Sequence, residues 1–304
     1  VEGAIKMRNI ILDNYIEKTC EYKELSSKTI ISYRKTISDF LEYLDIQSYN
    51  DFESITIEAV CGFIDHLSTS SLKGKMKGSS LNLRRTHLVI FNNYLIDEKG
   101  VKNNFSKKVP TKREEKIAVT PMSMEQVKKM ISSTKNEKNR LMAITLFSVG
   151  MRREELCDLK RDDINLNSGH ILFKGKGDKS RSVPIDMNIL NMLVDFYNRN
   201  TKQLCTNIFT KRNGRPIPPQ DINRMFDVWL KNADIPKSCG AGQTLSPHKV
   251  RATLANDMRD KGIDIISISQ TIGHSTIETT KRYLGISKES QSVLTQRSAA
   301  LYAN

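Results

Sequence analysis

Gly273-His274-Ser275-Thr276-Ile277-Glu278-Thr279-Thr280-Lys281-Arg282-Tyr283 sets a histidine and a tyrosine nine residues apart near the C-terminus. Upstream, His248-Lys249-Val250-Arg251 follows Pro247, a residue suited to the first turn of a helix. Positions i and i+3 share a helix face, so His248 and Arg251 can meet one phosphate together. Far upstream, Gly150-Met151-Arg152-Arg153-Glu154-Glu155-Leu156 closes an apolar run with a glycine and two arginines. The planar fork of an arginine matches two phosphate oxygens, which a lysine cannot do. Two arginines from separate segments can bracket a phosphate and stabilise charge that builds in a transition state. A phenol with a pKa near ~10 attacks poorly by itself, and nearby cations and a histidine lower the cost of the phenolate. Each fragment also has an ordinary reading: an arginine paired with Glu154 or Glu155, a polar helix face, a half-buried tyrosine. The combination suits a site that binds a phosphodiester and attacks it with a phenolic oxygen.

Composition bounds the rest. A chain of 304 residues suits two domains, and 38% hydrophobic content is enough for packed cores. It has no apolar run of about 18 residues, so no membrane span is expected. Val1-Glu2-Gly3-Ala4-Ile5-Lys6 does not read as a signal peptide. The five cysteines are scattered without a C-x-x-C pair, which favours neither a disulfide framework nor a zinc site and fits a reducing cytoplasm. The net charge of +14 is uneven. Residues 1–116 hold 19 Lys and Arg against 16 Asp and Glu, whereas residues 117–304 hold 29 against 18. Such an excess attracts polyanions, for DNA largely through counterion release.

The first hundred residues read as four helices, near 8–22, 27–44, 57–68 and 80–98, which can form a small bundle. Ser26 or Ser27 can cap the second, and Gly100 can end the fourth. Periodicity is lost over 102–116, a stretch with Lys102, Lys107, Lys108, Lys112, Arg113 and Lys116 that reads as a solvated basic linker able to touch a DNA backbone. Ser123 with Gln126 opens a second domain as a capping box. Helices follow near 123–133 and 137–149, strands at 169–173 and 180–185, and helices near 187–199, 219–233, 247–261, 264–271 and 276–283. The fold class expected is mainly α with a small sheet in the C-terminal domain. Between the strands, Gly175-Lys176-Gly177-Asp178 reads as a tight hairpin turn. A lysine there can protonate a leaving 5′ oxygen, and chemistry alone does not choose among Lys174, Lys176 and Lys179.

Taken together, G-x-R-x-x-E-L at 150–156, G-K-G-x-K at 175–179, H-x-x-R at 248–251 and G-H-S-x-x-x-T-T-x-x-Y at 273–283 resemble the tyrosine recombinase (phage integrase) family in order and interval. The S-x-x-T-x-x-x-Y-x-x-x-x-x-x-F-x-x-Y-L run beginning at Ser26 extends the resemblance to the N-terminal half. Chain length is similar to the Xer-like type, without the arm-binding domain of longer integrases. The resemblance implies a SAM-like core-binding DNA-binding domain over 1–101, a linker over 102–116 and a catalytic α+β domain over 117–304. It implies that Arg152 and Arg251 hold the scissile phosphate and that Lys176 is the general acid. It further implies that His248 assists proton transfer from the tyrosine, that His274 hydrogen-bonds the phosphate and that Glu155 orients the site. Tyr283 would attack to leave a 3′-phosphotyrosine, with no cofactor and no metal. The chain departs from the family in Ala252, where many members have a second histidine, in Arg153, where a smaller or apolar residue is common, and in an insertion-like loop from Ser238 to Gln243.

The partners implied are duplex DNA with short inverted repeats and further copies of the chain, a dimer on one site and a tetramer in synapsis, with accessory proteins in some systems. The expected compartment is the cytoplasm, at the nucleoid. Base readout is expected from the helix at 80–98 through Arg84, Arg85 and His87, and phosphate contacts from Lys107, Lys108, Lys112 and Arg113. The tail 284–304, with Val293, Leu294, Ala299, Leu301 and Tyr302 as apolar positions, is expected to act between subunits. Two alternatives use the same residues differently: a type IB topoisomerase, and a DNA-binding relative that has lost catalysis. The uses open to the family are integration, excision and resolution of mobile elements or replicon dimers.

Overall fold

The computed structural model describes residues 2–23, 25–69, 76–107, 109–113, 119–174, 180–199, 206–240, 242–274 and 276–284. The chain divides into two compact units, Val1–Lys116 and Ile117–Asn304. Among the described residues no helix is long and apolar enough to cross a membrane.

The first unit contains α1 (Glu2–Lys23), α2 (Ser27–Tyr43), α3 (Ile57–Thr69) and α4 (Gly78–Lys99). Ser26 caps α2, its hydroxyl accepting the Thr29 N–H at 3.3 Å. Gly100 ends α4 in the left-handed region with φ +68°. The apolar stripes meet in one core: Ile37, Phe40 and Leu41 of α2, Phe63 and Ile64 of α3, Leu88, Phe91 and Leu95 of α4. A 3-10 turn at Tyr49–Ser54, absent from the sequence expectation, buries Phe52 against Phe91 with ring centroids 5.7 Å apart.

The stretch read as a solvated linker departs from that reading. Val101, Phe105 and Val109 are buried in the core of this unit. Asn92 donates to the Asn103 carbonyl at 3.1 Å and accepts the Ser106 N–H at 3.1 Å. Asn103 in turn donates to the carbonyls of Phe52 and Ile55 at 2.8 and 2.9 Å. Asn82 exchanges two hydrogen bonds with the Lys112 backbone, at 2.9 and 2.8 Å. The described part of 102–113 is therefore fastened to the helices before it, because three apolar side chains four residues apart outweigh the solvation of the lysines between them.

In the second unit α5 (Met124–Ser132) opens on the expected Ser123–Gln126 capping box and packs on α6 (Glu137–Val149). A short α7 (Arg153–Asp158) follows directly. The sheet is antiparallel in the order β1 (Ile164–Asn165), β2 (His170–Lys174), β3 (Ser180–Pro184), with Phe173 opposite Arg181 and Lys174 opposite Ser180. Then come α8 (Met187–Arg199), α9 (Pro219–Asn232), α10 (Pro247–Asp260), α11 (Ile265–Ile272) and α12 (Ile277–Tyr283). The larger core centres on Leu146, Phe209, Phe226 and Trp229. A smaller one joins Ala252 and Ala255 of α10, Ile268 and Ile272 of α11, and Tyr283 and Leu284. Ala252, the site of a sequence departure, thus lies in the small core that holds Tyr283.

Candidate active site

Arg251 sits on α10, 1% exposed, and its guanidinium donates to the carbonyls of Gly150 and Ile272 at 2.6 Å each. Those carbonyls lie at the C-terminal ends of α6 and α11, where orphan carbonyls and the negative end of the helix dipole favour a cation. Burial, and then the charge of Arg152, lower the Arg251 pKa to about 10, which leaves it protonated at neutral pH. Both helix ends rely on glycine. A Cβ at Gly150 (φ +58°) would stand 2.8 Å from Leu254, and one at Gly273 (φ +74°) would stand 2.7 Å from Arg181 Cδ.

Arg152 precedes α7. Its guanidinium donates to Glu155 at 2.7 Å and to the Gly273 carbonyl at 2.7 Å, and its backbone N–H donates to Glu155 at 2.6 Å. Glu155 also receives a two-pronged pair from Arg181 of β3, at 2.7 and 2.8 Å. Burial alone would raise the Glu155 pKa; the hydrogen bonds from Arg181 and Arg152 and the charge of Arg181 override it and hold the value at about 2. Glu155 is therefore an ionised anchor and not a proton carrier near neutrality. Arg181 escaped the sequence reading, since its partner lies 26 residues away. The signal available was an arginine in alternation with Val183, on the hairpin face that carries Ile171 and Phe173 into the core.

Tyr283, buried at the end of α12, donates its hydroxyl to His248 Nε2 at 2.7 Å when the imidazole carries its proton on Nδ1. His248 is exposed as a residue, yet desolvation of the ring, then Arg251, Arg152 and Arg153, lower its pKa below 6.5. The neutral form that can accept a proton thus prevails at pH 7. The His274 ring stands edge-on to Tyr283 with centroids 4.6 Å apart, and its Nδ1 shares a hydrogen bond of 2.8 Å with Thr280. Its Nε2 is buried and has no partner among the described residues, and burial followed by Arg251 lowers its pKa to about 4. A buried donor of this kind, close to two arginines and a phenol, is suited to a ligand oxygen.

A cavity of about 540 Å³ opens beside these groups, lined in part by Arg152, Arg153, Glu154, Lys237 and His248. Arg153 donates to Glu154 at 3.0 Å, so Arg152 and not Arg153 joins the Glu155 network. The loop before α10 closes on itself through Cys239 and Gln243, and the buried Lys249 donates to Gln243 at 2.6 Å. Arg152, Glu155, His248, Arg251, His274 and Tyr283 thus come together. Lys176 and Lys108 lie outside the described residues, as does the tail from 285 onward.

Of the expected base-reading trio, His87 faces the core, whereas Arg84 and Arg85 are half-buried. His87 is 3% exposed, shares a 2.8 Å hydrogen bond with Thr36 and packs edge-on against Tyr33, and burial, then Arg84, lower its pKa to about 4. Half-buried Arg84 donates to the Thr36 hydroxyl and Arg85 to the Val109 carbonyl, both at 2.6 Å. His87 lies within the apolar stripe of Leu88 and Phe91, which is why it faces the core. Lys107 and Arg113 are exposed, and Lys112 pairs with Asp65 at 2.6 Å.

Two arginines, two histidines and a tyrosine gather here, with Arg152 and His248 on the cavity wall, an arrangement suited to phosphoryl transfer by side chains. A sequence model of the phage integrase family matches residues 119–290, and one of the phage integrase N-terminal SAM-like domain matches residues 12–99. The chain belongs to the phage integrase family, the tyrosine recombinases, which cut and rejoin DNA. It is 26% identical over 293 residues to the tyrosine recombinase XerC of Bacillus licheniformis, covering 91% of this chain and 93% of the relative. It is 26% identical over 288 residues to the tyrosine recombinase XerD of Staphylococcus haemolyticus, covering 91% and 94%. Among solved structures, the Tn1549 transposon integrase in complex with transposon right end DNA superposes with a TM-score of 0.73 at 16% identity, covering 95% of this chain and 99% of that one. The XerH site-specific recombinase bound to palindromic difH substrate gives 0.70 at 20% identity, covering 95% and 84%. These last two likenesses concern the fold.

Proposed function

We propose that this chain cuts and rejoins duplex DNA at short inverted repeats through a 3′-phosphotyrosine on Tyr283. The Tyr283 hydroxyl attacks the scissile phosphorus and passes its proton to neutral His248. The P–O5′ bond breaks, and the 5′ oxygen takes a proton from Lys176. Arg152 and Arg251 hold the non-bridging oxygens, His274 donates to one of them through Nε2, and Glu155 fixes Arg152. The new phosphotyrosyl bond keeps the energy of the phosphodiester, so the reverse attack by a 5′ hydroxyl reseals the strand without ATP. The observation that carries this reading is the 2.7 Å contact between the Tyr283 hydroxyl and His248 Nε2. The partners are duplex DNA and further copies of this chain, two on one site and four in synapsis, with residues 284–304 acting between subunits and accessory proteins joining in some settings. Lys107, Lys108, Lys112 and Arg113 add phosphate contacts, which position the duplex without reading it. The setting is the bacterial cytoplasm, in the integration, excision or resolution of a mobile element or replicon dimer.

The test uses duplexes that the full chain selects from a randomised pool, rebuilt with a nick that lets the cleaved fragment escape. A covalent protein–DNA adduct is expected, and Tyr283→Phe is expected to abolish it while binding persists. An adduct that survives in Tyr283→Phe removes Tyr283 as nucleophile.

A further inference from the structure

We infer that Arg181 is a positioning residue for DNA cleavage: it saturates Glu155, so that Arg152 keeps its positive charge available to a phosphate. The inference rests on Arg152 as a phosphate ligand, the reading proposed above. Arg181 touches neither Tyr283 nor a histidine in any hydrogen bond described; it acts through Glu155.

Three observations support this role. First, Arg181 meets both carboxylate oxygens of Glu155, at 2.7 and 2.8 Å, whereas the Arg152 guanidinium meets one, at 2.7 Å. The Arg152–Glu155–Arg181 cluster carries a net charge of +1. Without Arg181, Arg152 and Glu155 sum to zero, and an incoming phosphate meets a neutralised arginine. Second, the Glu155 and Arg181 side chains are 14% and 16% exposed, whereas that of Arg152 is 42% exposed. The part-buried ion pair is thus less open to solvent than Arg152, and solvent screens it less. Third, Arg181 is held in place from other sides. Its guanidinium lies over the Phe173 ring at 4.5 Å, and Gly273 is packed so closely that a Cβ there would meet it.

The experiment compares two nicked duplexes of the selected sequence, one with an ordinary scissile phosphate and one with a methylphosphonate there. The methylphosphonate lacks the anionic charge, so it makes less demand on positive charge in the site. On the ordinary phosphate, Arg181→Met is expected to slow adduct formation by about 100-fold, the scale seen when one charge-stabilising donor is lost. On the methylphosphonate the defect should shrink to within about fivefold, the compression expected when the lost interaction is electrostatic. DNA binding should be unchanged. Arg181→Lys, which restores charge but not the fork, should recover part of the rate, and it carries the same comparison if Arg181→Met fails to fold. Equal slowing on both substrates, or cleavage at the parent rate, overturns the role of Arg181. An Arg152→Ala control equally slow on both substrates would instead overturn the reading of Arg152 on which the inference rests.

Discussion

Replacing Gly273 by alanine tests how tightly the histidine-bearing turn is tied to the arginine cluster. Gly273 has φ +74°, a conformation that costs an alanine about 1–2 kcal/mol. The new Cβ would stand 2.7 Å from Arg181 Cδ and 2.9 Å from Nε and a terminal nitrogen. An arginine side chain usually yields to such a clash. Here it is pinned by two bonds to Glu155 and by the Phe173 ring, so giving way breaks at least one charged hydrogen bond, about 1.5–3 kcal/mol. The sum is about 2.5–5 kcal/mol. If some 3 kcal/mol of it reaches the transition state, cleavage slows by about 100-fold, at 1.4 kcal/mol per decade. Gly240 is the control: its φ is +81° but a Cβ there meets nothing within 4 Å. Gly240→Ala should therefore carry only the backbone cost and cleave near the parent rate. The assay is single-turnover adduct formation on the nicked duplex, with thermal melts to confirm folding. Cleavage by Gly273→Ala within about threefold of the parent would refute the reasoning, since it would leave less than 1 kcal/mol at the site.

Two further outcomes are expected. Because the His248 pKa is lowered below 6.5, its neutral form persists through neutrality, and the cleavage rate should be flat there and fall only in acid, with a midpoint below 6.5. Glu155, held at about 2, keeps its stabilising charge until far lower pH and does not contribute to that limb, so a midpoint above 6.5 would refute the assignment. Asn92→Leu removes the partners of the part-buried Asn103 carbonyl and the buried Ser106 N–H, a loss of about 2–5 kcal/mol. Amide exchange across 101–107 should accelerate, and protection equal to that of the parent would show that Asn92 does not fasten the segment.

The helices were legible because a stripe repeated over three or more turns leaves a clear period, as in Ile37, Phe40, Leu41 of α2. α7 was not, since six residues are too few to repeat, and β1, two residues long, leaves no alternation. The fourfold spacing of Val101, Phe105 and Val109 was present but read as a charge run, because the lysines between them dominate composition. His87 was mistaken for a surface group although it sits four residues before Phe91, on the buried face. The six residues that come together in the second unit were legible as a set only because distant motifs each supplied one or two of them. Arg181 was not legible, since its meaning comes from a tertiary neighbour and not from local spacing.

Arg251 ties the ends of α6 and α11 together through two carbonyls, so it serves the fold whether or not DNA is cut. Selection for a stable fold alone would therefore keep Arg251 in a descendant that had given up recombination. Retention of this arginine in a relative says little about whether that relative is active. Exposed His248, whose described hydrogen bond runs to Tyr283, is the more telling marker, because a drifting, inactive lineage has less structural reason to hold on to it.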